Sequence, residues 1–413
     1  MWFSACLLAA AAALLPATNA SPTSMLPSFL VSWSEGLGSL WWKQNLNADD
    51  TAQFEKRQTA NAFDHNPDGS QFLWVLQDTY QGNTFFDRWS FFTGHDPTNG
   101  KVDYQDRNNS FAKGLVYTRD DGKVIMRGDN YTRLDPGINR PSVRISSWAQ
   151  YNTGLFILDL DKVPWGCATW PAYWLLGNGQ WPNYGEVDII EGVHDNSHNQ
   201  VAFHTKTGCY LDSSVNITGS ILQRNGSPNL VCDGNINDNS GCGTLEWSRA
   251  SYGEYFDSQG GGVFATKWDE NEITAWSFYR AAIPQDILAG TPNPSGWGIP
   301  AAKLVATHCN PLSSYFINMS IVFDITFCGD WAGNSYTTSG CPGTCEQRLL
   351  EPSNFVNATW IINHLKVYKK QLLNGQIGTN GASARLSTPP AFASIFYLSL
   401  LFGVAATLLL QSD

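Results

Sequence analysis

Three carboxylates crowd into six residues of the segment GEVDIIEGV (185–193): Glu186, Asp188 and Glu191. Hydrolysis of a glycosidic bond needs two carboxyl groups of unequal acidity, one ionised to attack carbon and one protonated to release the leaving oxygen. Three carboxylates in one cleft cannot all ionise cheaply, so repulsion raises the pKa of at least one. The spacing must first bring them to one side. A helix does not, because Glu186 and Glu191 lie about 140° apart at ~3.6 residues per turn. A regular strand puts Glu186 and Asp188 on one face and Glu191 on the other. One extra residue, a β-bulge at Ile189-Ile190, returns Glu191 to the face of the other two and leaves Val187 and one isoleucine for the core. The glutamate backbones are then ~13 Å apart at ~3.3 Å per residue. Retaining glycosidases hold their carboxyls ~5–5.5 Å apart and inverting ones ~6.5–9.5 Å, so the side chains must lean together across a concave strand. Spacing alone does not select between those outcomes. A solvated acidic edge or a calcium loop is the competing reading; the interleaved Val and Ile and the nearby Trp170, Trp174 and Trp181 argue against it.

The rest of the chain has to supply that strand and its cleft. Of 413 residues only 15% are charged and 13% are aromatic, with 17 Trp, 37 Gly and 20 Pro, a composition of strands and long loops. Short alternating runs fill residues 72–370. Asp121-Gly122 in GLVYTRDDGKVIMRGD marks a hairpin with a two-residue type of turn. PSVRISSW places Val143 and Ile145 on one face and Arg144 on the other. YFINMSIVFDITF and ATWIINHLKVYKK are rich in β-branched and aromatic residues, and IPQDILAG is at most a short helix. The expected class is all-β, a sandwich or barrel. A net charge of −11 without a basic patch excludes nucleic acid as a partner. Abundant Trp with few cations suits a neutral polymer whose sugar rings stack on indoles. No G-x-S-x-G elbow supports a serine hydrolase, and Gly260–Gly262 lack a βαβ context, so no redox cofactor is expected.

Together WPAYWLLG (170–177), GEVDIIEGV (185–193), HTKTGC (204–209), DTYQGNTFFDRWSFFTGHDP (78–97) and FCGDWAG (327–333) resemble glycoside hydrolase family 16, in particular fungal laminarinase-type endo-β-1,3(4)-glucanases. The resemblance spans about residues 72–370 and carries the bulged E-x-D-x-x-E form. It implies a β-jelly-roll sandwich of two antiparallel sheets with a concave glycan-binding cleft, and a retaining double displacement on β-glucan. By matched position Glu186 is the nucleophile, Glu191 the acid/base and Asp188 the residue that orients and tunes the nucleophile. His204 supports the site, while Trp170, Trp174 and Trp331 line the cleft for substrate. No metal ligand is assigned. A structural calcium ion is compatible with the architecture, but no loop motif specifies one. A cell-wall glucan transglycosylase on the same site is the alternative; a non-catalytic β-glucan lectin is disfavoured because both glutamates are present.

Residues 1–20 read as a secretory signal peptide, residues 21–69 as an extension with a possible dibasic processing site at Lys56-Arg57, residues 70–370 as the catalytic domain and residues 371–394 as a linker. The apolar end, 395–413, follows small residues at Asn380-Gly381-Ala382, the order of a glycosylphosphatidylinositol attachment signal, with Asn380 as the attachment point. A retained tail helix is the alternative. This predicts a monomer on the cell surface, held to the outer leaflet of the membrane by the lipid. The mature chain keeps eight Cys, read as up to four disulfides of undetermined pairing. Sequons at Asn108, Asn130, Asn216, Asn225, Asn318 and Asn357 fit the secretory route.

Overall fold

A computed structural model describes residues 63–373. Expectations for the signal peptide, for Lys56-Arg57 and for Asn380 with the apolar end lie outside the described residues.

Two antiparallel sheets stack on each other. One has nine strands, ordered Asp64–His65, Gln71–Gln81, Thr359–Leu372, Gly154–Lys162, Gly262–Trp268, Glu272–Tyr279 and Ala302–Val305, with Val124–Arg127 and Val116–Thr118 added beside Thr359–Leu372. The other has eight, ordered Ser220–Ile221, Cys242–Leu245, Gln200–His204, Glu186–Glu191, Thr169–Gly177, Met319–Phe327, Arg144–Tyr151 and Trp89–Phe91. The acidic segment is thus a central strand of the second sheet. Among the described residues the longest α-helices have six residues, Arg107–Ala112 and Gly253–Ser258, and Gln285–Leu288 is a single short turn.

Alternation along the strands decides what faces what. In Met319–Phe327, Ile321, Phe323, Ile325 and Phe327 join the main core, whereas Val322 belongs to a separate cluster with Ala172 and Trp174 on the opposite face. In Thr169–Gly177, Tyr173 and Leu175 point inward in the same way. Tyr173 stacks on Phe323 at 4.6 Å, and Phe323 meets Trp360 of the nine-stranded sheet edge-on at 5.5 Å. These rings lock the site sheet onto its neighbour; Phe323→Ala would cost about 3–5 kcal/mol through the cavity it leaves.

Four disulfides join Cys167–Cys341, Cys209–Cys309, Cys232–Cys242 and Cys328–Cys345, using all eight cysteines of the expected set. Two details differ from the sequence reading. The Asp121-Gly122 turn is longer than two residues: Arg119 N–H donates to the Lys123 carbonyl at 2.9 Å, leaving Asp120, Asp121 and Gly122 in the loop. Gly122 takes φ +82°, the left-handed residue that closes a three-residue hairpin loop. The domain also begins before residue 70. Asp64, buried, pairs its strand with Gln71–Gln81 and accepts hydrogen bonds from Trp74 Nε1 at 2.7 Å and from Ser295 Oγ.

Candidate active site

The acidic strand carries the bulge that its spacing requires. Against Gln200–His204, Asp188 lies opposite Ala202 and Glu191 opposite Gln200, so three residue steps on one strand match two on the other. Against Thr169–Gly177, Trp174 pairs with Asp188 and Tyr173 with Ile190, and Ile189 is skipped. Val187, Ile189 and Ile190 all belong to the main core, so both isoleucines go inward, not one. The bulge places two successive residues on the same side, which returns Glu191 to the side of Glu186 and Asp188.

His204 is the cross-strand partner of Glu186. Its Nε2 lies 3.3 Å from Asp188 Oδ2 and 3.9 Å from Glu186 Oε1, all three side chains being largely buried. The two glutamates each receive one indole N–H: Trp181 Nε1 donates to Glu186 Oε2 at 3.1 Å and Trp170 Nε1 donates to Glu191 Oε1 at 2.9 Å. Trp170 in turn meets Trp331 edge-on at 5.7 Å, and Trp181 tilts over the His204 ring at 6.0 Å. Trp331 sits in the Gly329–Gly333 turn, half-buried. Trp174 is the most deeply buried of the rings expected to line the cleft. It is only 8% exposed, with the Arg144 guanidinium over its ring at 4.9 Å, so it forms floor and offers little face to a ligand.

Burial dominates the electrostatics. It pushes the Glu186 carboxyl up to about 8; repulsion from Asp188 adds to this, while His204 and the Trp181 hydrogen bond oppose it. Glu191 is also raised to about 8, by burial and then by Asp188, against the hydrogen bond from Trp170. Asp188 reaches about 8 through burial and the nearby Asp324. Burial and mutual repulsion thus make the cluster hold protons well above the ordinary carboxylate range. An indole N–H and the His204 imidazole favour the carboxylate form at both glutamates, and the imidazole lies 3.9 Å from Glu186.

Sequence reasoning missed several contributors. Asp324, on the strand two away from Asp188, is raised to about 7 by burial, against the Arg144 charge, and accepts Ala172 N–H at 3.1 Å. A lone acid in the apolar run VFDITF was the available signal. Trp181 stands near the acids in the sequence, but nothing there marks it as a donor to Glu186. Asn199 and Glu246 lie behind Glu191 and had no motif at all.

Ligand atoms of Glu186, Asp188 and His204 lie within 4.8 Å of one another, so a cation could compete there with protons. Cys167 and Cys341, grouped near Asp195, are joined as a disulfide and offer no thiolate. Of the sequons, Asn108, Asn216, Asn225 and Asn318 are exposed, and Asn130 and Asn357 are half-buried. Asn318 precedes its strand with its amide paired to Asn152.

Comparison with known proteins adds the family. Residues 89–368 match the XgeA-like catalytic domain of glycoside hydrolase family 16. The chain is 43% identical to a probable glycosidase of Schizosaccharomyces pombe over 74% of this chain and 72% of that protein. It is 36% identical to a probable endo-1,3(4)-β-glucanase of Aspergillus clavatus, covering 76% of this chain but 48% of that protein. The chain thus spans about half the length of the Aspergillus relatives it matches. Among solved structures, Laminarinase 16A from Phanerochaete chrysosporium, with β-glucans in its donor and acceptor sites, is 40% identical at a TM-score of 0.67, covering 72% of this chain and 99% of that one. An elongating family 16 β-1,3-glucosyltransferase is 37% identical at the same TM-score and covers 72% of this chain and 100% of that one.

Proposed function

The chain belongs to glycoside hydrolase family 16, and on that premise we propose that it is an endo-acting, retaining hydrolase of β-1,3- or mixed β-1,3/1,4-glucan. The observation that carries the reading is the bulged strand, which gathers Glu186, Asp188 and Glu191 on one face with an indole donor on each glutamate.

In the first step the Glu186 carboxylate attacks the anomeric carbon. The bond from that carbon to the glycosidic oxygen breaks, and Glu191 gives its proton to the departing oxygen. In the second, the Glu191 carboxylate takes a proton from water, whose oxygen attacks the same carbon and displaces Glu186. Asp188 holds a proton or a charge beside the nucleophile according to the step, and His204 faces both. Trp170, Trp331 and Trp181 supply aromatic surface along the channel.

Glu186→Gln and Glu191→Gln are each expected to lower release of reducing ends from laminarin by at least ~100-fold, the scale of a lost acid/base or nucleophile, while circular dichroism stays native. Full activity in either variant overturns the assignment. Proton NMR of the first product tests retention, since the β-anomer must appear before mutarotation. Comparing laminarin with lichenan sets the linkage preference.

The similarity to an elongating glucosyltransferase favours a second outcome of the same chemistry, in which a sugar hydroxyl replaces water in the second step. Labelled oligosaccharide acceptors would then give lengthened products. We infer also that the protein is secreted and tethered to the cell surface by a lipid. The signal-like first 20 residues, the small residues at 380–382 before an apolar end, and four disulfides support this. Phospholipase release from intact cells tests the tether.

A further inference from the structure

A bulge leaves backbone groups that the neighbouring strand no longer meets. Here the interruption is flanked by the Ile189 carbonyl and the Glu191 N–H, and one side chain answers both. Asn199 Oδ1 accepts the Glu191 N–H at 2.9 Å, and Asn199 Nδ2 donates to the Ile189 carbonyl at 2.8 Å and to Glu246 Oε1 at 2.9 Å. A backbone donor on one side and a carbonyl on the other fix which way the amide points.

Asn199 is fully buried and is itself held. Its N–H donates to Ser251 Oγ at 2.9 Å, and its carbonyl accepts the Glu246 N–H at 2.8 Å. The Glu246 side chain, also buried, accepts from Ser277 Oγ on strand Glu272–Tyr279 of the opposite sheet. A continuous path therefore runs from the Glu191 backbone through Asn199 and Glu246 to the other layer of the sandwich. A side chain that lacks either a donor or an acceptor cannot close it. An ionised aspartate could accept from Glu191 but not donate to Ile189, and leucine could do neither.

We propose that Asn199, anchored by Glu246, is a positioning residue that fixes the bulge and thereby aims the Glu191 carboxyl for proton transfer. This rests on Glu191 being the acid/base. The specific consequence concerns leaving groups. A poor leaving group needs the proton that Glu191 gives, whereas 2,4-dinitrophenolate does not, so a mis-aimed Glu191 should be felt on one and not on the other.

The test is Asn199→Ala in the full chain, with folding followed by near-ultraviolet circular dichroism. For laminarin, kcat/KM should fall about 10- to 100-fold, the effect of a misplacement near 1 Å. For a 2,4-dinitrophenyl β-laminaribioside, kcat/KM should change less than about threefold because its glycosylation step needs no acid. With that substrate kcat should fall, because hydrolysis of the glycosyl-enzyme still needs the base; in Glu191→Ala, where the carboxylate is gone, azide should restore kcat and give a β-glycosyl azide. An equal fall on both substrates, or no fall on laminarin, overturns the proposal. Should Asn199→Ala not fold, Asn199→Asp is read in the same way. Adding Glu246→Gln then restores a donor towards residue 199 and should recover part of the laminarin rate; no recovery counts against the anchor. Glu191→Ala serves as the reference: absence of the leaving-group signature there refutes the acid/base assignment itself and leaves the two failures distinguishable.

Discussion

Replacing Trp170 by Phe removes one hydrogen bond from the proposed acid/base and leaves a ring in its place. The bond is the 2.9 Å contact from Trp170 Nε1 to Glu191 Oε1, and it favours the ionised carboxyl. Hydrogen bonds to charged groups contribute about 1.5–3 kcal/mol, and 1.36 kcal/mol corresponds to one pKa unit. Even the lower end therefore moves the basic limb of the pH profile by about one pH unit. The direction follows from which form loses its partner: the carboxylate does, so Glu191, already raised to about 8 by burial and Asp188, rises further and keeps its proton to higher pH. kcat/KM on laminarin, measured from pH 4 to 10, reports the free enzyme. Loss of the edge contact with Trp331 at 5.7 Å will lower the whole curve without moving its limbs. A basic limb that stays in place or moves down refutes the claim that this indole tunes the acid.

Trp181→Phe should instead raise the acidic limb, because the 3.1 Å donor it removes serves the Glu186 carboxylate; an unmoved acidic limb in the same profile counts against Glu186 as the ionised partner. Thermal stability should fall as pH rises from the ordinary carboxylate range to about 8. Glu186, Asp188 and Glu191 hold protons there in the folded protein that the unfolded chain has released, and melting curves across that window check the sign. Deleting Ile189 leaves E-V-D-I-E, a plain alternation that keeps all three acids in the cleft. The variant should lose about 2–5 kcal/mol from the core yet retain some laminarin activity, whereas an alanine inserted after Ile190 turns Glu191 inward and should abolish it.

The bulge was legible because E-x-D-x-x-E fits neither period of regular structure, and because Val187 and at least one of the two isoleucines had to face a core; that both do is seen only in the fold. Spacing along one strand is local information, and it was enough to bring Glu186, Asp188 and Glu191 together. Neighbours across strands were not legible in that way. Asp324 reaches Asp188 only because Met319–Phe327 and Glu186–Glu191 flank the same strand, Thr169–Gly177, and nothing within VFDITF states that order. The motif around Trp174 implies a sugar-facing ring. Its cover is Arg144, which comes from a third strand and lies over the indole at 4.9 Å.

Asn199 shows the same limit more sharply. A polar residue ahead of an apolar strand ordinarily marks a loop, and its partners Ile189, Glu191 and Glu246 become neighbours only once three segments are in register. The raised pKa of each acid in the cluster has the same origin. Burial is the first cause at each of the three carboxyls, and burial is set by strand order and by the rings of Trp170 and Trp181, not by the acids themselves. The local pattern can thus state which groups would do the chemistry. Whether one of them keeps a proton at neutral pH is decided by what the rest of the sandwich packs against it.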